Sequence, residues 1–416
     1  MFSSATFTER RARLVESMPH EFCVVVPAAS SIPSSADAVH GLVPSRNLYY
    51  LTGIVQEGTW LFMWRLAGRP EVKECLFITP YDEEYAKWYG TVLTKEQATD
   101  ISGISEVRFS GVQDKFLEKL VCKEGLRNFH FDWHRTGMGD FSGRGLSLVR
   151  RFRDAFPDVA VHSAGESIFR LRMIKDEKEV QCIRAATELT RRGFEQAVTR
   201  LKPGMREYEF EAELLYRWAF EGEKTPAFPT ICAGGPRATC LHYGENRAVL
   251  SDGELLLIDH GAMKDLYCAD ITRTVPVNGK YSPRQRELMD LVLEVQNKAI
   301  QLLRPGILHR QWGEEVNIFY RELMLSRGVI NRPEDFEKYF YHGIGHHIGL
   351  DTHDDQVPQI PISPGMVFTV EPGFYSAEEG IGIRIEDDVL VGEAGNTVLS
   401  EGFPRTPDEI EELMRK

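Results

Sequence analysis

LLLIDHG (255–261) and LYCADITRTV (266–275) are two apolar, strand-like runs, and each carries one aspartate, Asp259 and Asp270. Folded as an antiparallel hairpin with its midpoint between Lys264 and Asp265, this stretch places Asp259 opposite Asp270, so that both side chains point to one face of the sheet. Like charges directly opposite each other destabilise a sheet. The hairpin therefore predicts a cation between the two carboxylates.

Three more apolar runs follow, and each supplies one candidate ligand: His346 in YHGIGHHIG, Glu371 in MVFTVEPG and Glu386 in GIGIRIEDD. An acid in such a run is costly unless another charge or a metal compensates it. Four ionised carboxylates carry about four negative charges, which two divalent cations balance and one does not. Any single acid is more commonly a solvated or salt-bridged surface residue. Four acids at strand ends beside a glycine-flanked histidine instead favour a two-metal hydrolase site.

The donor set indicates both the metal and the reaction. Carboxylates with an imidazole and no thiolate suit Mn, Co or Fe, and Zn is a further candidate, whereas calcium and magnesium rarely take imidazole. In a two-metal site the cations generate a hydroxide at neutral pH and polarise a carbonyl oxygen. We therefore expect two divalent ions per chain, with Mn as the leading candidate, in an enzyme that hydrolyses an amide or ester.

Histidines cluster around the candidate ligand, since His342, His346, His347 and His353 lie within twelve residues. A single histidine is more often structural, but histidines among glycines, which allow close backbone approach, favour a functional site. One imidazole suffices as a ligand. The others, together with His242 in CLHYGEN, are candidates for substrate contact.

Length and composition narrow the class of protein. The chain has 416 residues, a formal net charge of −13 and a pI near 5.5. The length favours two domains, and the acidic balance argues against nucleic acid or an anionic membrane as a partner. No apolar run approaches the roughly 18 residues that span a bilayer, and the N-terminus lacks the apolar core of a secretory signal. Seven scattered cysteines without C-x-x-C spacing are typical of reduced thiols in a cytoplasmic protein.

Residues 1–165 alternate helices and strands, which predicts a small α/β domain without chemistry of its own. A capping box of Thr6 and Glu9 indicates a first helix. The other predicted elements are strands at 22–28, 48–51, 60–65, 74–79 and 129–133, and helices at 115–121 and 146–156.

Residues 170–416 form the predicted catalytic domain. Helical spacing of apolar residues predicts helices at 170–201, 207–221, 281–303, 313–328 and 407–415, and the acidic runs predict strands at 367–370 and 381–385. Helices and strands interleave without a repeating β-α-β period. The α+β class therefore fits this half better than a doubly wound sheet.

Several motifs in this half resemble those of the pita-bread metallopeptidases: IDHGA, ADITRT, YHGIGHHIGLDTHD, TVEPG and GIRIEDD. Within that family the chain is most similar to the proline-specific branch, aminopeptidase P and prolidase, and DITRTVPVNGKYSPRQRELMDLVLE resembles aminopeptidase P in particular. The resemblance covers residues 170–416; the N-terminal half resembles the family's non-catalytic domain only in length, layout and phrases such as NLYYLTG. It implies a C-terminal pita-bread (creatinase/aminopeptidase) catalytic domain preceded by a smaller α/β domain, α+β overall.

The resemblance also implies a role for each candidate ligand. Five residues would bind two metal ions: Asp259, Asp270, His346, Glu371 and Glu386. Asp270 and Glu386 would bridge the ions, a metal-bridging hydroxide would be the nucleophile, and Glu371 would accept the proton of the attacking water. His260 is bulkier than the residue that the family often has there, and strand alternation predicts that it lies on the opposite face as a bystander.

Outside the ligand set, the resemblance implies that His353 and His242 steady the substrate carbonyl and the tetrahedral intermediate. Arg384 and His342 would lie beside the proline subsite, and Arg384 is counted with the catalytic residues. Tyr375 would support them on the substrate-binding side.

The leading hypothesis is an aminopeptidase that removes the N-terminal residue of a peptide with proline at the second position. Prolidase, which cleaves only Xaa-Pro dipeptides, shares every residue named above and is the alternative. A metal-free binding module on the same fold is a hypothesis from another class, and it is disfavoured because relatives of that kind lack most of the five ligands. We also expect a homo-oligomer, a dimer or tetramer.

Overall fold

The chain forms two compact units, Met1–Arg172 and Met173–Lys416, called here the N-terminal and C-terminal units. The computed structural model describes residues 2–28, 33–35, 38–39, 42–133 and 145–415. Within these ranges no helix combines the length and the apolar character that crossing a bilayer requires.

The N-terminal unit is organised around one mixed sheet. Its strands are β1 Phe22–Pro27, β2 Pro33–Ser35, β3 Ala38–Val39, β4 Trp60–Arg65, β5 Val72–Ile78, β6 Val107–Phe109, β7 Asn128–Phe131 and β8 Ala160–Ser163. The main sheet has the order β6-β5-β4-β1-β7-β8, and β2 pairs with β3. β4 pairs antiparallel with β1 and β5, whereas β6, β7 and β8 each join in parallel.

The helices of this unit are α1 Ser4–Glu16, α2 Arg46–Thr52, α3 Glu83–Tyr89, α4 Lys95–Ser102, α5 Gln113–Cys122, α6 Leu146–Ala155 and α7 Gly165–Met173. Phe62 of β4, Phe77 of β5 and Phe116 of α5 meet edge to face at centroid distances of 5.2–5.3 Å. Aromatic pairs prefer this geometry, and all three rings belong to the apolar core of the unit.

Most predicted elements of the N-terminal unit are confirmed to within two residues, but the strand predicted at 48–51 is wrong. This segment lies in helix α2, because Ser45 Oγ accepts a hydrogen bond from the backbone N–H of Leu48 and caps the helix. Gly53, at a φ of 74°, ends it in the left-handed conformation. An apolar run of four residues is too short to show its period.

The first helix is also confirmed, but its predicted capping box is wrong. The helix begins at Ser4, so Thr6 lies inside its first turn rather than at its cap. The N-cap is Ser3, in an extended conformation with φ −95° and ψ 160°, and its side chain makes no capping hydrogen bond.

The C-terminal unit mixes helices and short antiparallel sheets, which confirms the α+β prediction. Its helices are α8 Glu177–Val198, α9 Glu207–Phe220, α10 Pro283–Leu302, α11 His309–Ser326, α12 Phe336–Tyr339 and α13 Pro407–Met414. Its strands are β9 Ile231–Gly234, β10 Leu255–His260, β11 Met263–Lys264, β12 Tyr267–Cys268, β13 Ile271–Pro276, β14 Val367–Val370, β15 Gly373–Ser376, β16 Ile381–Arg384, β17 Asp387–Leu390 and β18 Thr397–Val398. The sheets have the orders β13-β10-β9, β14-β17-β18, β15-β16 and β11-β12.

The long helix predicted at 170–201 is interrupted. Helix α7 ends at Met173 and α8 begins at Glu177, after a capping box in which Asp176 and Glu179 each accept a backbone N–H of the other. Asp176 and Glu179, which are three residues apart, mark the beginning of a new helix inside the predicted one. Lys175 therefore lies in the short segment that connects the two helices.

The predicted register of the metal hairpin is wrong by two residues. Asp259 pairs with Thr272, not with Asp270. The hairpin turns at Asp265 and Leu266, which both have positive φ (49° and 67°), so its midpoint lies one residue later than predicted. Because side chains alternate with a period of two, Asp270 still lies on the face of Asp259.

Candidate metal centre

The predicted site residues converge on one cavity of about 260 Å³ in the C-terminal unit. All of them except Tyr375 line it: His242, Asp259, Asp270, His342, His346, His353, Glu371, Arg384 and Glu386. Leu241, Gly343 and Gly345 complete the lining. The cavity thus lies where several segments meet: the β10–β13 hairpin, the ends of β14 and β16, and residues 342–353.

Three of the candidate ligands offer donor atoms at metal-binding spacing. One ligand atom each of Asp270, His346 and Glu386 lies within 4.8 Å of the others. His346 Nε2 is 3.5 Å from Asp270 Oδ2 and 3.7 Å from Glu371 Oε1. One imidazole therefore faces two carboxylates, an arrangement that suits a divalent cation of the Mn, Fe, Co or Zn class.

The imidazole of His346 is oriented by the backbone. Its Nδ1 donates to the carbonyl oxygen of His347 at 3.0 Å, because a carbonyl can only accept, and Nε2 is left to face the carboxylates. Its backbone N–H donates to Thr369 Oγ1 at 3.0 Å. Gly345 permits this close approach, since a Cβ there would lie 2.0 Å from the carbonyl oxygen of Thr369.

The two carboxylate oxygens of Asp259 differ in their hydrogen bonding. Its Oδ2 accepts from Arg384 Nη2 at 2.6 Å, while its Oδ1 is buried and has no hydrogen-bond partner among the described residues. A buried carboxylate oxygen without a donor is costly, and a cation in the cavity would offset that cost. The donor set and this atom therefore fit a bound metal.

Hydrogen bonds to β13 and β17 position the two acids that are predicted to bridge the ions, Glu386 and Asp270. Thr272 Oγ1 donates to Glu386 Oε2 at 2.6 Å, and the backbone N–H of Glu386 donates to the carbonyl oxygen of Thr272 at 3.1 Å. The backbone N–H of Asp270 donates to Asp388 Oδ2 at 3.2 Å. Thr272 lies two residues after Asp270 and so on the same face, a signal that the strand period offered and that sequence reasoning did not use.

Beyond the effect of burial, the neighbouring carboxyl groups of the cavity raise one another's pKa values. Burial and the neighbouring acids raise the pKa of Asp270 and of Glu386 well above their usual values. Burial raises the pKa of Glu371 to about 8, with Arg384 opposing the shift and Asp259 adding to it. Clustered acids cannot all ionise without further positive charge, and bound divalent cations supply it.

A hydrogen-bonded network lies on one side of the cavity. Arg384 Nη1 donates to the Tyr375 hydroxyl oxygen at 3.0 Å, and Arg384 Nε donates to Thr272 Oγ1 at 3.2 Å. His342 Nδ1 donates to the carbonyl oxygen of Gly343 at 2.7 Å, so its Nε2 accepts from the Tyr375 hydroxyl at 2.8 Å. Tyr375 is buried behind the cavity wall and fixes both neighbours.

His353 and His242 lie on the exposed side of the cavity. The ring of His353 is 4.0 Å from that of His346, measured between centroids. Burial, and then the nearby His242, lower the pKa of His353. The imidazole of His353 is thus neutral near pH 7 and retains one N–H that can be donated.

His260 lies outside this cavity. Its side chain is fully buried, with its ring 5.7 Å from that of Phe194, 6.2 Å from that of Trp218 and 6.0 Å from that of Phe403. Burial lowers its pKa to about 4. It therefore packs as a neutral aromatic residue on the face of β10 opposite Asp259.

Sequence reasoning also missed Leu241. It precedes His242 in the loop after β9 and is the apolar side chain in a cavity lined otherwise by ionisable residues and glycines. A leucine next to a candidate histidine carries no chemical signal of its own, so only the folded structure reveals it.

Comparisons with known proteins identify the family of this chain. Residues 181–393 match the model of metallopeptidase family M24, and residues 7–127 match the aminopeptidase P N-terminal domain. An Xaa-Pro aminopeptidase of Haemophilus influenzae is 31% identical over 98% of this chain and 96% of its own length.

Solved structures give the same family. A Bacillus anthracis structure assigned as an aminopeptidase P superposes with a TM-score of 0.96 at 35% identity, covering 100% of this chain and 99% of that one. A substituted Escherichia coli aminopeptidase P in complex with substrate gives a TM-score of 0.88 at 30% identity, covering 99% of this chain and 98% of that one. With its N-terminal domain and its pita-bread catalytic domain, the chain belongs to the aminopeptidase P family of the M24 metallopeptidases.

Proposed function

We propose that this chain is a dinuclear-metal aminopeptidase that hydrolyses the bond between an N-terminal residue and a following proline. The observation that carries the proposal is the convergence of five candidate ligands on one cavity: Asp259, Asp270, His346, Glu371 and Glu386. The full-length relative named Xaa-Pro aminopeptidase supports the substrate class. The test is release of the first residue from an Xaa-Pro-Yaa tripeptide by protein reconstituted with Mn²⁺. Two bound ions with no release would contradict the proposal.

The five ligands would hold two divalent cations. We propose Mn, because carboxylates with one imidazole suit it, and Co, Fe and Zn are the alternatives. When bound, the cations would supply an activated water at neutral pH and polarise the scissile carbonyl. The unpartnered Oδ1 of Asp259 supports this occupancy.

Glu371 accepts the proton of the attacking water in this proposal. Its Oε1 lies 3.7 Å from His346 Nε2, and its Oε2 lies 3.7 Å from His342 Nδ1, so the carboxyl stands between the ligand and the proline side of the cavity. A base is most effective when its pKa lies near the working pH. The same carboxyl then delivers the proton to the departing proline nitrogen.

His353 and His242 donate hydrogen bonds to the carbonyl oxygen as negative charge develops on it. Both line the cavity from its exposed side, where a peptide can enter. Donors aimed at a developing oxyanion lower the barrier because they gain strength in the transition state.

Arg384, Tyr375 and His342 form the proline side of the site. Proline lacks an amide N–H and has a fixed φ, so it must be recognised by its shape and by its carbonyl. The hydrogen bonds of Tyr375 hold Arg384 and His342 in place, which gives a preorganised wall against which the ring can pack.

Prolidase is the second candidate, and the comparisons do not favour it. The relatives that match along nearly the whole chain are named Xaa-Pro aminopeptidases, from Haemophilus influenzae and Escherichia coli. Parallel assays of an Xaa-Pro dipeptide and an Xaa-Pro-Yaa tripeptide separate the two activities.

We further propose a cytoplasmic homo-oligomer, a dimer or tetramer. All seven cysteines are free, which suits a reducing compartment. Tyr81, Trp88 and Tyr89, which are close in the sequence, are 61%, 77% and 56% exposed, and exposed aromatic side chains favour contact with another chain. Light scattering of the purified protein and cell fractionation are the tests; a monomer or a membrane-bound pool would contradict the two parts of the proposal.

A further inference from the structure

A buried ion pair joins the start of the C-terminal unit to the residue after His353. Lys175 Nζ lies 3.1 Å from Asp354 Oδ2, and both side chains are 1% exposed. Removing two charges from water costs about as much as their attraction returns, so such a pair contributes little net stability. A role in fixing geometry accounts better for its presence.

Both partners of this pair are anchored. The backbone N–H of Lys175 donates to the carbonyl oxygen of Gly365 at 2.8 Å, and the next residue, Asp176, caps helix α8. At Gly349 a Cβ would lie 2.5 Å from Asp354 Oδ2 and 3.0 Å from Lys175 Cε, so only glycine leaves room for the two charged groups to meet.

The pair is connected to the candidate metal ligand through one oxygen atom. The backbone N–H of Asp354 donates to the carbonyl oxygen of His347 at 2.9 Å. The same oxygen accepts from His346 Nδ1 at 3.0 Å. A shift of Asp354 therefore changes the acceptor that orients the His346 imidazole, and it moves the adjoining His353, whose ring lies 4.0 Å from that of His346.

We infer that Lys175 and Asp354 are positioning residues, which hold His353 at the cavity and orient His346 through the carbonyl of His347. The inference rests on the proposed function, in which His353 donates to the substrate carbonyl. Neither Lys175 nor Asp354 lines the cavity, so both act through the two histidines.

The test replaces the pair with apolar residues of similar length and branching, Lys175→Met with Asp354→Leu. Single substitutions strand a buried charge and destabilise the protein, whereas removal of both charges is often neutral. We expect a folded double variant with nearly unchanged KM, a kcat reduced about tenfold or more at saturating Mn²⁺, and Mn²⁺ affinity reduced by about tenfold, as for other residues that orient metal ligands.

The matched control is the exposed pair of Arg304 and Glu315, whose side chains are 45% and 37% exposed. Arg304→Met with Glu315→Leu should leave kcat, KM and Mn²⁺ affinity at the original values. A double Lys175 and Asp354 variant with unchanged kcat and unchanged Mn²⁺ affinity would overturn the inference. If that variant does not fold, Lys175→Met with Asp354→Asn removes both charges and keeps the volume of Asp354 and one acceptor, and the same decreases in kcat and affinity are expected from it.

A mutant cycle separates this inference from the proposed function. In a His353→Ala background, removal of the pair should still lower Mn²⁺ affinity through His346, but it should cause no further decrease in kcat at saturating Mn²⁺, because the group through which the pair affects kcat is already absent. Full additivity would overturn the inference. A His353→Ala variant with normal kcat would instead contradict the proposed role of His353.

Discussion

Arg384 Nη2 lies 2.6 Å from Asp259 Oδ2, with side-chain exposures of 4% and 14% for the two residues. A candidate metal ligand and a candidate substrate-side residue thus share one buried ion pair. The arginine neutralises part of the acid cluster, while its other donors reach Tyr375 and Thr272. Metal binding and the placement of the proline subsite are therefore connected through one guanidinium group.

The first prediction concerns this arginine. Arg384→Met should reduce kcat/KM by about 10²-fold, because the proline side of the cavity loses a group that positions the substrate. Metal affinity should stay equal or rise, because Asp259 then lacks a competing cation. Steady-state kinetics and Mn²⁺ titration measure the two effects. Loss of metal together with activity would show that Arg384 maintains the ligand geometry instead.

The second prediction concerns metal stoichiometry. Reconstituted protein should bind about two divalent ions per chain, as a two-metal site requires. Asp270→Ala should lose at least one ion and nearly all activity, whereas the exposed Asp290→Ala, on helix α10, should keep both ions and full turnover. Elemental analysis and an activity assay on both variants test this prediction. Full turnover in Asp270→Ala would contradict the assignment of the metal site.

The third prediction concerns metal-free protein. The pKa of Glu371 rises from 4.5 to about 8 on folding, chiefly through burial. A raised pKa in the folded state means that its stabilising contribution is complete below the unfolded pKa and is lost as pH rises through the folded value. Chelated protein should therefore lose stability between pH 4.5 and about 8, and the gain in Tm on adding Mn²⁺ should grow over the same window.

A matched variant isolates this group. Glu371→Gln removes the titrating carboxyl, so its chelated form should show a weaker fall of Tm with pH than the original chain. Parallel slopes for the two proteins would show that other groups cause the dependence.

The sequence predicted the residues of this site better than their arrangement. Glu371 stands directly after β14 and Glu386 two residues after β16, and the pattern located both strands to within one residue, because an acid that ends an apolar run is a strong local signal. The hairpin register depended on a turn in which Asp265 and Leu266 both adopt positive φ. Aspartate tolerates that conformation, but a leucine at positive φ is uncommon, so Leu266 gives no signal for such a turn.

Contacts between segments that are far apart in the sequence could not be predicted, and the reason is different. The hydrogen bond from the backbone of Asp270 to Asp388 spans 118 positions, and the bond from Lys175 to Asp354 spans 179. A single sequence records which residues are apolar and which are charged, but not which charged residues meet. The acids of the candidate site were recognisable only as a set, and their partners required the fold.

The fourth prediction concerns a residue outside the ligand set. His353→Ala should keep both metals and lose about 10²–10³ in kcat, the usual cost of removing one transition-state donor. The exposed His20→Ala, in the N-terminal unit, is the matched control and should leave kcat unchanged. Near-normal kcat in His353→Ala would mean that this histidine is structural.

The last prediction concerns specificity. If the space beyond proline is open, Xaa-Pro-Yaa peptides should be cleaved at least as well as Xaa-Pro dipeptides. Replacing proline with alanine in the tripeptide should lower kcat/KM by at least about 10²-fold, or about 2.7 kcal/mol of transition-state binding, because the wall of Arg384 and His342 is preorganised for the ring. Cleavage of dipeptides with none of tripeptides would move the assignment to prolidase, and equal rates on alanine peptides would remove the proline-specific interpretation.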